Sequence, residues 1–229
     1  MTSQDQYNCT WIGALRGRFI VFDGPDGSGK STQFRAIADM ARANGVEVRE
    51  VREPGGTAVG ERIREILLDP IHDEMALRCE MMLYMASRAQ LVEQIIRPAL
   101  RGGALVLADR FVSSTYAYQG AAGGLPMHEI DAVASAACGD RAGGGTWPDL
   151  TVIFDVDGRT AATRLNPTLD RMEQKGAEFH ARVRQGYLDQ AARDPGHYAV
   201  IDAHQNAEAV TGDTLSMLRQ RLAGRGVHE

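Results

Sequence analysis

Nine residues near the start of the chain carry the clearest chemistry. Gly24-Pro25-Asp26-Gly27-Ser28-Gly29-Lys30-Ser31-Thr32 places Gly-Lys-Ser four residues after a glycine, the spacing of a loop that cradles phosphate. Glycines let successive backbone amides curl around an anion, and the N-terminus of a following helix adds partial positive charge. Lys30 is expected to reach the β- and γ-phosphates of a nucleoside triphosphate, and the Ser31 hydroxyl to ligate Mg²⁺. A second candidate, Asp109, closes another apolar run and is followed at once by Arg110. An arginine beside a metal-site aspartate suits a second bound phosphate, because a planar guanidinium grips phosphate where lysine offers only a point charge. Asp109 has an alternative role as one half of a buried salt bridge to a neighbouring arginine.

The loop alone leaves a motor ATPase, a GTPase switch and a small-molecule kinase open. No Asn-Lys-x-Asp base-reading motif is present, and the strand ending Ala108-Asp109-Arg110 lacks the acidic pair a motor usually carries. There is no Ser-His-Asp constellation, and the six histidines form no motif. Cys9, Cys79 and Cys138 are widely spaced and odd in number, so they read as reduced thiols without a disulfide framework or metal-ligand spacing.

These residues need strands and helices to position them. Short apolar runs at Phe19–Phe22, Val46–Val51, Ala104–Ala108, Leu150–Phe154 and Tyr198–Ile201 read as buried parallel strands. Helical patterns separate them. Ser31–Ala43 sets Phe34, Ile37, Ala38 and Ala41 on one face and stops at Asn44-Gly45. A second helix is expected to bury Val59, Ile63, Ile66 and Leu67, and a third runs from about Glu80 toward Leu100, kinked or closed by Pro98. Pro126 suits the first residue of a fourth that ends at Cys138-Gly139. Phe179, Val183 and Tyr187 mark a fifth, and Glu208–Leu222 a last. Ala121–Gly124 and Gly143–Gly145 read as loops. The expected fold is a three-layer α/β/α domain on a five-stranded parallel sheet.

With 229 residues and no Pro- or Ser-rich linker, one domain is the economical reading. A 44% hydrophobic fraction excludes wholesale disorder. Twenty-five basic against 30 acidic residues argue against a nucleic-acid partner held by general basicity. No apolar run approaches the roughly twenty residues that span a bilayer, and no secretory signal is visible, so a cytoplasmic protein with no membrane partner is expected.

Seven segments in order make the chain resemble the thymidylate kinase family: Phe22–Thr32, Arg52-Glu53-Pro54-Gly55-Gly56-Thr57, Leu83-Tyr84-Met85-Ala86-Ser87-Arg88, Asp109-Arg110-Phe111, Tyr118-Gln119-Gly120, Pro148-Asp149-Leu150 and Asp170-Arg171-Met172-Glu173. The resemblance spans Phe19–Leu222, leaving residues 1–18 as an N-terminal extension before a single kinase domain at 19–229. It implies a P-loop kinase fold and transfer of the ATP γ-phosphate to dTMP, with Mg²⁺, in a homodimer. ATP would lie on Gly24, Asp26, Gly27, Ser28, Gly29, Lys30, Ser31 and Thr32. The dTMP site would comprise Asp26, Glu53, Pro54, Tyr84, Arg88, Arg110, Ser114, Thr115, Tyr118 and Gln119. Within it, Tyr84 stacks on thymine and Arg88 lies near the dTMP phosphate and base. Ser114, Thr115, Tyr118 and Gln119 read the thymine edge, and the Tyr118 ring crowds the sugar's 2′ position. Asp26, Ser31 and Asp109 would surround the metal, and the catalytic set would be Lys30, Arg110, Asp26 and Arg164. The resemblance also implies a cis bond near Pro54 and a lid at 159–172 carrying Arg164 and Arg171, although Asn166-Pro167-Thr168 departs from an Arg- and Gly-rich lid. On residue type alone, Asp26 could equally cap the helix after the loop, and Tyr84 could be a core aromatic. A kinase for another nucleotide and a catalytically silent nucleotide-binding subunit remain open here.

Overall fold

The computed structural model describes residues 9–164 and 170–222. Five parallel strands form its centre: β1 Phe19–Asp23, β2 Val48–Arg52, β3 Leu105–Asp109, β4 Leu150–Asp155 and β5 Tyr198–Asp202. They pair in the order β2-β3-β1-β4-β5, so β1, which leads into the phosphate loop, lies in the middle. Its register sets Phe22 beside Asp109 of β3 and Asp23 beside Ile153 of β4. Alternation along each strand divides the core into two layers. Ile20, Phe22, Leu105 and Leu107 face one layer, and Phe19, Val21, Val106 and Ala108 face the other. All eight are at most 1% exposed, and truncating one to alanine costs about 2–5 kcal/mol for the larger side chains.

On one side, α1 (Lys30–Ala43) and α9 (Ala207–Leu222) cover the sheet. Phe34, Ile37, Ala38 and Ala41 are buried there as the periodicity predicts, and α1 stops at Asn44 with Gly45 at φ 74°. A 3₁₀ turn at Cys9–Leu15 sends Ile12 and Leu15 into the same layer. The other side holds α3 (Leu77–Leu91), α4 (Arg97–Arg101) and α6 (Met127–Cys138). α8 (Ala177–Arg193) buries Val183 and Tyr187 beside β4 and β5.

Four details differ from the sequence expectations. In α2 (Ala58–Leu68), Leu67 is buried, but Val59 and Ile66 are 53% and 43% exposed, because the helix packs against α3 rather than the sheet. Between α3 and α4 the helix widens into a π-helical stretch, Val92–Ile96, just ahead of Pro98. Proline lacks the amide that a regular ladder needs, so the chain remains helical with altered spacing instead of closing. Pro126 is the extended residue before α6 rather than its first helical residue. Ala121 and Ala122 complete a second π-helical stretch, Tyr116–Ala122, rather than a loop; it continues the short helix α5 (Val112–Thr115).

Candidate active site

The carboxyl ends of β1, β2 and β3 open onto one cavity of about 630 Å³, where ligands of open parallel sheets bind. The phosphate loop forms one end. Gly24 has φ 131°, and a β-carbon there would stand 2.5 Å from the Phe154 carbonyl; at Gly27, φ 76°, it would stand 2.5 Å from that of Ala161. Only glycine lets the loop turn while packed this closely on β4 and α7 (Gly158–Ala162). Gly29 precedes α1 with no side-chain cap, so Asp26 does not cap that helix. The Lys30 ammonium, 7% exposed, donates to the carbonyls of Gly24 (3.0 Å) and Pro25 (2.8 Å). Burial, and then the Arg110 charge, push its pKa below the usual lysine value. Gly27, Gly29, Ser31 and Thr32 line the cavity, whereas Ser28 is buried with an unpartnered hydroxyl.

Arg110 stands beside the loop, paired with its Asp26. Among the described residues it is the one non-glycine with positive φ, 70°. The strain of this backbone shape is tolerated only where surroundings enforce it, and such residues cluster at active sites. Its guanidinium pairs with Asp26 and, at 3.2 Å, with Asp23, and bonds the hydroxyls of Ser114 (3.1 Å) and Tyr187 (2.9 Å). Asp23 is fully buried. It accepts from Ser113 (2.6 Å), Ser114 (2.9 Å), Tyr187 (2.7 Å) and the Gly24 amide (2.9 Å). Tyr118 donates to the second Asp26 oxygen at 3.0 Å. Burial alone would raise the Asp26 pKa, but the Arg110 and Lys30 charges and the Tyr118 bond hold it well below the carboxylate range.

The wall expected to take the acceptor carries Glu53, Pro54, Tyr84, Ser114, Thr115, Tyr118 and Gln119. The Glu53–Pro54 bond is cis. Tyr84 faces the cavity rather than the core. Arg88, four residues on, does not reach it. At 1% exposure it lies behind the wall, donating from Nε to Glu53 (2.8 Å) and from Nη1 to Thr115 (3.2 Å), with Phe111 under its guanidinium. Burial lifts Glu53 to about 7 against the opposing pull of Arg88. The spacing of Tyr84 and Arg88 predicts a shared face; it carries no sign that Glu53 draws the longer side chain inward.

Asp109 lines the cavity, and one of its oxygens is buried without a hydrogen-bond partner. Its alternative role as a salt-bridge partner is not observed among the described residues. Arg164 lines the cavity, exposed, and donates to the Ala203 carbonyl at 2.9 Å. Arg171, expected beside it in the lid, is instead 6% exposed, paired with Glu80 (2.7 Å) and bonded to the Leu67 carbonyl (2.7 Å). Asn166-Pro167-Thr168 falls outside the described residues.

Three participants escape the sequence reading. Asp23 is signalled only by an acid closing an apolar strand. Tyr187 reads as a core position of α8, yet its hydroxyl reaches Asp23 across 164 residues. Arg64 lines the cavity and donates to the Pro54 carbonyl at 3.0 Å; nothing in its spacing distinguishes it from the arginines around it.

The chain as a whole has counterparts among known proteins. The family model described as thymidylate kinase matches residues 22–213. A thymidylate kinase of Exiguobacterium sp. is 44% identical over 217 residues, spanning 94% of this chain and all of that protein. One from Ectopseudomonas mendocina is 45% identical over 210 residues, 91% of this chain and 98% of the relative. The crystal structure of thymidylate kinase from Ehrlichia chaffeensis superposes with a TM-score of 0.72 at 31% identity, over 89% of this chain and 99% of that one. Agreement over nearly the whole length, in sequence and in fold, makes this chain a member of the thymidylate kinase family.

Proposed function

We propose that the chain transfers the γ-phosphate of ATP to the phosphate of dTMP, giving dTDP and ADP. The observation that carries the reading is a single cavity with a phosphate loop at one end, Tyr84 and Gln119 at the other, and Arg110 between them. The acceptor oxygen is already ionised at neutral pH, so no general base is needed. The protein's task is to align two anions and offset their repulsion. At about 4 Å, like unit charges repel by roughly 4 kcal/mol near a protein surface, which calls for several cations.

Lys30, released from the carbonyls of Gly24 and Pro25, would meet the β- and γ-phosphates. Arg110 would turn its fork to the acceptor phosphate while Asp23 and Asp26 hold its base, and Arg164 would neutralise charge from the open side. Tyr84 would stack on thymine, Gln119 would read its edge, and the Tyr118 ring would stand at the sugar. Mg²⁺ fits the residues present. Asp109 has a buried oxygen without a partner and Ser31 offers a hydroxyl at the loop, whereas both Asp26 oxygens are engaged by Arg110 and Tyr118. Among the described residues no cluster of three or more acidic, His or Cys side chains forms a metal cage. This agrees with an ion bound mainly by phosphates and water through one or two protein oxygens. When bound, the ion supplies positive charge against the transferring phosphoryl group.

A homodimer is part of the proposal. Val59 and Ile66 on α2 and Met82 on α3 are exposed, apolar surface of the kind a second copy would cover. No helix among the described residues is long and apolar enough to cross a membrane. The proposed setting is the cytoplasm, since both substrates are free nucleotides. Titrating purified protein with MgATP and dTMP tests the function. The expected result is stoichiometric dTDP and ADP, with dTMP preferred over dCMP and dGMP; ADP release indifferent to every monophosphate would refute it.

A further inference from the structure

Behind the acceptor wall lies a second buried acid that the proposed reaction does not use. Glu80 on α3 is 1% exposed and does not line the cavity. Its carboxylate accepts from Gln119 Nε2 (2.8 Å), pairs with Arg171 (2.7 Å), and takes Lys175 Nζ at 3.1 and 3.3 Å. Arg171 is itself anchored on the Leu67 carbonyl at the end of α2 (2.7 Å). Two cations and an amide on one carboxylate favour its ionised form. Burial would raise its pKa, but the Gln119 bond and the Lys175 and Arg171 charges bring it below the usual value.

An ionised carboxylate accepts hydrogen bonds and cannot donate them. A planar amide beside it can satisfy it only with the NH₂ end, so the Gln119 oxygen is left for the cavity that Gln119 lines. Without such a partner the two ends of a glutamine side chain exchange by a half-turn about its last torsion. We propose that Glu80 is a positioning residue that fixes the orientation of the Gln119 amide, so that the site demands a pyrimidine with a hydrogen-bond donor at ring position 3. Thymine and uracil carry N3–H there, whereas cytosine presents a bare nitrogen acceptor. The proposal rests on the reading of this cavity as the dTMP site. It adds that selection against cytosine is exerted through a residue that never touches the base, with Arg171 and Lys175 keeping that residue charged.

The test compares kcat/KM for dTMP, dUMP and dCMP in wild type and Glu80→Gln. A glutamine at position 80 can offer either end to Gln119, which frees the amide to turn. The expected result is a fall of about tenfold or more in the dTMP:dCMP ratio, with the dTMP:dUMP ratio unchanged because both bases carry N3–H. In a Gln119→Leu background, Glu80→Gln should leave the dTMP:dCMP ratio where Gln119→Leu set it. A merely structural Glu80 would lower all three rates together and leave both ratios at their wild-type values; that result overturns the proposal, as does an undiminished effect in the Gln119→Leu background. Should Glu80→Gln fail to fold, Glu80→Asp, whose shorter side chain draws the carboxylate back from Gln119, is judged on the same ratios. Wild-type protein that phosphorylates no pyrimidine monophosphate refutes the functional reading and this inference with it. Wild-type preference for dTMP with an unaltered ratio in the Glu80 variants refutes the inference alone.

Discussion

Two of the arginines that line the cavity are held in opposite ways. Arg110 is fastened by Asp23, Asp26, Ser114 and Tyr187, on a backbone in the left-handed region. Arg164 is exposed, and among the described residues its side chain makes one hydrogen bond, to the Ala203 carbonyl. A cation set in place before the substrate arrives loses little reorganisation energy when charge develops nearby. A cation on a long exposed side chain loses rotamer freedom and is weakened by water and salt. Under the proposed function, the contrast would give fixed alignment of the acceptor to Arg110 and adjustable screening to Arg164.

Removing the fixed side should do the most damage. Arg110→Ala and Lys30→Ala are each expected to lower kcat/KM by about a thousandfold. Arg110→Ala should also cost roughly 3 kcal/mol of stability, because Asp23 and Asp26 lose their shared cation; steady-state kinetics with chemical denaturation separates the two effects. Next comes Arg110→Lys, which keeps the charge but cannot span both carboxylates with a planar fork. Turnover should fall about a hundredfold, and near-normal rates would show that charge alone suffices. Arg164→Ala should cost only about fivefold, and the loss should shrink as ionic strength rises from 0.05 to about 0.5 M, while the Arg110 deficits persist. An Arg164 defect as large and as salt-resistant as that of Arg110 would erase the comparison.

The smallest expected effect is on stability against pH. Asp26 has a folded pKa below its ordinary 3.8. Its contribution is therefore fully present above that value and is lost as pH falls below it toward the folded pKa. The Tm gap between wild type and Asp26→Asn should hold steady above about pH 5 and narrow by about 2–4 °C below pH 4.

How far residue order discloses such arrangements depends on the range of the contacts. All five strands, the phosphate loop and five of the helix-forming faces are legible because each is a local pattern of apolar spacing, glycine or proline. Arg110 is legible too, since it follows the strand-ending Asp109 directly. What holds Arg110 is not. Asp23 lies 87 residues earlier and Tyr187 lies 77 later, and a tyrosine on a helical apolar stripe looks the same whether or not its hydroxyl meets a carboxylate. Arg88 misleads for the same reason: its i, i+4 relation to Tyr84 is real, but Glu53 retains it behind the wall. Arg171 is likewise drawn inward by Glu80. Sequence spacing says which residues share a helix face; only the assembled core says which of two oppositely charged neighbours claims them.

The Tyr116–Ala122 stretch has a bearing on how this cavity tolerates change. Its wide turns accommodate one more residue than a regular helix over the same axial distance. Deleting a single residue there would let the coil tighten to ordinary turns, which keeps the chain downstream in phase but turns residues inside the stretch by up to about 100° from their present directions. Tyr118 and Gln119 sit inside the rephased portion, so this wall of the cavity is guarded by the count of residues as much as by their identity. Point substitutions along the outer side of this stretch should be absorbed, while length variants should scramble the aromatic and the amide together.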